Sequence, residues 1–159
     1  MRISIHYSIV EKLQALLGHE YVSNDFDICQ KYGHDETENL NFPPSLLLKP
    51  RTSEEIAEIL KIANEHKIPV TAIGGQTGLS GGALCVRQGI GLSMERFNQI
   101  IEIDQNNLQV TVEPGVITQV LRDAVAQVGL FYPPDPSSQG SCFIGGNIAE
   151  NAGGARALK

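Results

Sequence analysis

Apolar residues first recur at helical spacing at Ile9, Leu13, Leu16 and Leu17, and Gly18 follows as a stop, which predicts a surface helix. A second short helix is expected after Ser23 as N-cap, running through Phe26 and Ile28 to Tyr32 and Gly33. The Phe42-Pro43-Pro44 turn closes this N-terminal arm. Ser45 to Leu48 is a short continuous apolar run and predicts a buried strand. Thr52 and Glu55 then make a capping box for a helix carrying Ile56, Ile59, Leu60 and Ala63, and Pro69 closes the unit. With Val70 to Ile73 as the next strand, residues 45–73 predict a β-α-β crossover and hence a small parallel sheet.

Beyond that point, Gly91 to Met94, Ile100 to Ile103 and Leu108 to Val112 alternate or run apolar like strands. A helix capped by Thr118 is expected next, with Val120, Leu121, Ala124, Val125 and Val128 inward and Gly129 as stop. The fold class is therefore α+β: a small parallel β-α-β subdomain followed by a mixed or antiparallel sheet subdomain. The boundaries this implies are a helical arm over 1–44 and one domain from 45 onward. At 159 residues the chain has room for one ordinary domain but not two.

Charge narrows the partners. The formal net charge is -6, with Lys and Arg gathered on no one stretch, so the basic footprint of nucleic-acid binding is missing. No apolar run approaches a membrane span, and Glu11 and Lys12 interrupt residues 1–17, so no signal peptide is expected there. Cys29, Cys85 and Cys142 form no C-x-x-C pair; they are expected as buried small hydrophobes in a reducing cytoplasm.

Glycine carries the chemistry. Of the 16, seven lie between Gly74 and Gly91 and six between Gly129 and Gly154. Glycine at that density weakens the folded backbone unless the chain must turn tightly or approach something closely. The first loop, Gly74-Gly75-Gln76-Thr77-Gly78-Leu79-Ser80-Gly81-Gly82, lies in a stretch with no charged residue from Ile68 through Val86. Its successive N–H groups can form a concave nest for an anion such as a pyrophosphate, with the Thr77 and Ser80 hydroxyls as further donors. A bare glycine-rich hairpin is the alternative. No glycine precedes a lysine, which excludes a P-loop, and no G-x-G-x-x-G occurs. Gly78-Leu79-Ser80-Gly81-Gly82 matches the G-x-S-x-G elbow of serine hydrolases, but His6, His19, His34 and His66 all precede the serine. The second segment, Tyr132-Pro133-Pro134-Asp135-Pro136-Ser137-Ser138 through Gly154, pairs an extended proline path with small and amide residues that leave room for a planar ligand. Asn147 and Asn151 would share a face there if the segment is helical, and ordinary capping is the alternative for both.

Four segments in this order resemble the FAD-binding domain of the vanillyl-alcohol oxidase and p-cresol methylhydroxylase type, nearest the D-lactate, glycolate and D-2-hydroxyglutarate dehydrogenase branch. They are Gly74 to Ala83, Met94-Glu95-Arg96-Phe97-Asn98 with Ile103-Asp104, Val112-Glu113-Pro114-Gly115-Val116, and Pro133 to Leu158. The resemblance implies FAD, with its pyrophosphate on the amides of Gly74, Gly75, Gln76, Thr77 and Gly78. It implies that Pro134, Asp135, Ser138, Ser141, Gly145, Gly146, Asn147, Asn151 and Gly153 line the rest of the nucleotide. Ile73 stands where such proteins often have Arg, and Gln76 where they often have Gly. The first loop lacks the histidine of covalently linked members, which implies a non-covalent flavin. The implied reaction is oxidation of a D-2-hydroxy acid at its CH–OH group by hydride transfer to FAD. The substrate side chains and metal motif are implied to lie in a further C-terminal domain, so that 45–159 is an incomplete flavin domain and no catalytic or metal residue is expected within it. A flavin-binding electron-transfer subunit without its own substrate site is the second reading, and a serine hydrolase the third.

Overall fold

The structure, a computed structural model, describes residues 4–156, so the first three residues of the 1–44 arm and the last two of the Pro133 to Leu158 segment lie outside the described residues. Two compact units divide the chain, residues 1–96 and 97–159.

In the first unit, helix α1 (Tyr7–Leu17) buries Ile9, Val10, Leu13 and Leu17 and ends at Gly18 with φ 96, as its apolar spacing predicts. A short 3₁₀ turn leads to strand β1 (Val22–Ser23) and helix α2 (Phe26–Lys31). The expected N-cap is corrected here. Asp25, not Ser23, accepts the Ile28 N–H at 3.0 Å, because Ser23 is committed to antiparallel pairing with Leu47. Strand β2 (Leu46–Leu48) is buried throughout. Helix α3 (Ser53–Glu65) carries the capping box: Glu55 N–H donates to Thr52 Oγ1 at 3.2 Å, and the Thr52 N–H is returned to the Glu55 carboxylate. Strands β3 (Val70–Ile73) and β4 (Ile90–Ser93) complete a sheet of order β1-β2-β4-β3, in which β2, β4 and β3 are parallel. The crossover over 45–73 is thus present, with β4 inserted between its two strands. Residues of α1 and α3 pack with Val22, Leu46, Leu48, Ile90 and Leu92 in one apolar cluster.

In the second unit, β5 (Ile100–Asp104) and β6 (Gln109–Val112) form an antiparallel pair with an irregularity between Ile100 and Glu102. Helix α4 (Thr118–Gln127) follows, with Leu121 and Val125 buried against Val116 and Ile144. It stops in a Schellman arrangement: Gly129, at φ 78, donates to Ala126 O at 3.0 Å and Leu130 donates to Val125 O at 3.0 Å. Two expectations for α4 fail. Thr118 is not a cap; the N-cap is Ile117 without a side-chain bond, and Thr118 lies fully buried inside the first turn. Val120 is 51% exposed rather than inward, because the buried stripe of this short helix runs through Thr118, Leu121 and Val125. Helix α5 (Ile144–Ala149) is short. The parallel strands expected in the first unit and the antiparallel pair expected in the second are present, in keeping with an α+β fold, but the first sheet is mixed because β1 of the N-terminal arm joins it antiparallel. Cys29, Cys85 and Cys142 are all buried free thiols. Among the described residues no helix is long and apolar enough to cross a membrane.

Candidate flavin-binding segments

The first glycine-rich loop leaves β3 directly. Among the described residues, no backbone N–H from Gly74 to Gly78 donates to another group of the protein, and all five residues are half-buried. A row of amide donors without protein acceptors, in a stretch with no side-chain charge, suits an anionic group that accepts several N–H bonds at once. The left-handed residue within this stretch is Gln76, at φ 57. An L-residue in that region costs about 1–2 kcal/mol relative to the right-handed one, which accounts for the glycine that similar proteins often carry there. Here the side chain compensates: Gln76 Nε2 donates to Lys31 O at 3.1 Å and to His34 O at 2.6 Å. Glu36 N–H adds a third tie, to Gly78 O at 3.0 Å.

The elbow reading of Gly78 to Gly82 does not survive the backbone. The segment consists of bends and turns, Ser80 is exposed, and the next regular element after β3 is β4 at Ile90. A nucleophile elbow needs a helix immediately after the serine.

Charge in the first unit gathers at the ends of β2 and β4 instead. Glu95 accepts from Lys49 Nζ at 2.7 Å, from Tyr32 Oη at 2.7 Å and from Ser93 Oγ at 3.1 Å. Burial pushes the Glu95 carboxyl upward, but the hydrogen bonds from Lys49, Tyr32 and Ser93 outweigh it, and the carboxyl titrates below its ordinary value. Arg96 stacks 3.5 Å from the centre of the Tyr21 ring and donates to Lys49 O at 2.9 Å. The family-like Glu95 and Arg96 therefore brace the strand ends.

In the second segment, the expected residues divide by what they touch. Asp135 receives ion pairs from Arg122 on α4 and, at 3.3 Å, from Arg156, while its N–H donates to Gly153 O at 2.9 Å. Arg122 also donates to Gln139. Gly154, at φ 73, presses against the Asp135 carbonyl so closely that a Cβ would overlap it. Gly145 donates its N–H to Pro114 O at 2.8 Å, and a Cβ there would fall 2.6 Å from Pro114 Cβ. The Val112 to Val116 turn thus buttresses the start of α5. Asn147 is buried, and its Nδ2 donates to Thr118 Oγ1 at 2.5 Å. By contrast, a Cβ on Gly146 would meet nothing within 4 Å, and Ser141 and Asn151 are exposed. Asn151 lies past the end of α5 at φ 54, so it does not share a helical face with Asn147.

Sequence spacing alone missed Arg122, Arg156 and Thr118 as partners of this segment, and Lys31, His34 and Glu36 as partners of the first loop. Arg122 and Thr118 are 13 and 29 residues from the side chains they hold, and no local motif marks such pairs.

A loop with no side-chain charge leaves a parallel strand, and its Gly74 to Gly78 amides meet no protein acceptor among the described residues, so it has the chemistry to hold an anionic cofactor group. A family model for the FAD binding domain matches residues 44–159, and the chain belongs to that family. Over 128 residues it is 47% identical to the glycolate oxidase subunit GlcD of Bacillus subtilis, covering 80% of this chain and 27% of that protein. It is 36% identical over 152 residues to a D-lactate dehydrogenase of Anaerostipes hadrus, covering 95% of this chain and 32% of that protein. Among solved structures, p-cresol methylhydroxylase with substrate bound superposes at a TM-score of 0.69 with 31% identity, over 77% of this chain and 25% of the other. The chain thus spans about a third or less of the length of these relatives.

Proposed function

We propose that this chain is the flavin-binding part of an FAD-dependent dehydrogenase or oxidase that oxidises the CH–OH group of a D-2-hydroxy acid of the lactate, glycolate or 2-hydroxyglutarate type. The observation that carries the reading is the run of amides from Gly74 to Gly78, in an uncharged loop, that meet no protein acceptor among the described residues. In this reading Gly74, Gly75, Gln76, Thr77 and Gly78 hold the pyrophosphate through their N–H groups. Gly146, Ser141, Asn151, Pro134, Ser138 and Gly153 line the remaining nucleotide. Asp135, Gly145 and Asn147 shape that lining through Arg122, Pro114 and Thr118. When bound, FAD supplies the hydride acceptor; the protein's share is to bind it non-covalently and orient it. The substrate site belongs to the remainder of the protein, and a cytoplasmic location goes with the reading.

The test is the visible spectrum of the complete protein as purified, before and after anaerobic addition of glycolate, D-lactate and D-2-hydroxyglutarate. Bleaching of the oxidised flavin band by one of them is expected; a colourless protein that takes up no FAD would overturn the reading. The name of the glycolate oxidase relative, a subunit, favours a second reading, in which the protein passes electrons within an assembly. Flavin that is bound but not bleached until a partner chain is added would select it.

A further inference from the structure

The side-chain amide of Gln76 performs a task that glycine at the same position could not. A carboxamide nitrogen carries two hydrogens, and both are directed at carbonyls of the N-terminal arm, Lys31 O at 3.1 Å and His34 O at 2.6 Å. Lys31 is the last residue of α2, where carbonyls have no partner within the helix. Gln76 therefore caps α2 from a distant part of the chain, and Glu36 N–H returns a bond to Gly78 O at 3.0 Å. These three bonds join residues 31–36 to residues 76–78. The arm lies outside the 44–159 stretch that matches the family, so the family domain alone does not contain this support.

We propose that Gln76 is a positioning residue: by tethering the loop to residues 31–36 it holds the Gly74 to Gly78 amides in the arrangement that receives a diphosphate. The inference rests on the FAD reading and adds the arm to it. A loop free to sample several arrangements must be ordered when the ligand binds, and that ordering is subtracted from affinity. Two opposite effects meet at this position. Glycine would relieve the left-handed backbone but remove both donors; the tether outweighs the relief, so glycine weakens binding.

The deciding experiment is calorimetric titration of FAD into the apo form of the complete protein, for wild type, Gln76→Gly and Gln76→Glu, with far-ultraviolet circular dichroism of each apo form. Gln76→Gly should raise the Kd about tenfold with unchanged apo dichroism. Gln76→Glu, isosteric but unable to donate, should raise it further and should alter the visible circular dichroism of whatever flavin remains bound. Should Gln76→Glu fail to fold, Gln76→Gly decides alone. Wild-type affinity or tighter in Gln76→Gly would overturn the positioning role, since the side chain would then matter only as a burden on the backbone. Failure of the wild type itself to bind FAD would sink the cofactor reading and this inference with it.

Discussion

Residues 74–82 and residues 132–154 are both rich in glycine, yet opposite forces keep them in shape. The first loop contains no charge and is tied down by neutral hydrogen bonds, from the Gln76 carboxamide and the Glu36 N–H to backbone carbonyls. The second is gathered around one carboxylate, Asp135, which two arginines hold from either side. Each segment has one left-handed residue with a side chain and one left-handed glycine, Gln76 and Gly81 in the first and Asn151 and Gly154 in the second, but a Cβ would find ordinary contacts at Gly81 and would overlap the Asp135 carbonyl at Gly154. Glycine content thus marks where a backbone is busy, without saying whether it is busy with a ligand or with itself. A loop left uncharged keeps its amides available to an anion, while a segment stitched by ion pairs has used its charge internally.

The sharpest test of that contrast is Gly154→Ala. It adds a Cβ to a left-handed residue packed on backbone, and about 3 kcal/mol of local stability should be lost. Hydrogen exchange of the peptides over 130–154 should quicken while the rates of those over 70–90 stay unchanged. Protection unchanged in both would mean that the Asp135 to Gly154 contact holds nothing in place.

Next in size is Arg122→Ala. Arg122 and Asp135 are about four-fifths buried, and removing one partner leaves the other carboxylate with the half-exposed Arg156 alone. A loss of about 2 kcal/mol is expected, between the exposed and fully buried limits for a broken ion pair. Raising the salt to about 1 M should narrow the gap between variant and wild type in the second segment, since added ions screen partly exposed pairs. The same salt step should leave the exchange of residues 74–82 unaltered. A salt response in the first loop as large as in the second would erase the distinction between them.

The smallest effect concerns the ion network that the first unit does possess, at Lys49, Glu95 and Tyr32. Because the Glu95 carboxyl titrates below its ordinary value of 4.5, its contribution is present above that pH and is lost as pH falls below it. At pH 6, Glu95→Gln should be less stable than wild type by up to about 1 kcal/mol, and the difference should close as pH falls from 5 towards 3. Melting temperatures measured across that range check it; a gap that widens in acid would reverse the sign of the argument.

Much of the first unit was legible because its signals are local. Leu46 to Leu48 and Val70 to Ile73 appear as strands within a residue of where they were expected, and the Thr52 to Glu55 capping box forms as read. Helix starts were less legible. Ser23 and Thr118 both have side chains suited to capping, but Ser23 lies in a strand with its hydroxyl on the Asp25 N–H, and the Thr118 hydroxyl is taken up by Asn147, a partner invisible in a local window. The candidate segments were located from glycine and proline content, yet their supports at Lys31, His34, Arg122 and Arg156 were not, since each acts across a separation that no periodicity encodes.

Sequence by itself determined the α+β order, the two glycine-rich segments and the absence of charge around the first, because these depend on residue type and near-neighbour spacing. Only the tertiary structure decided that β4 enters between β2 and β3, that Gln76 takes a left-handed conformation, and that Asp135 is spent on two arginines. Those outcomes depend on which distant groups arrive together in the folded chain, where a single donor or charge changes partner according to what is packed beside it.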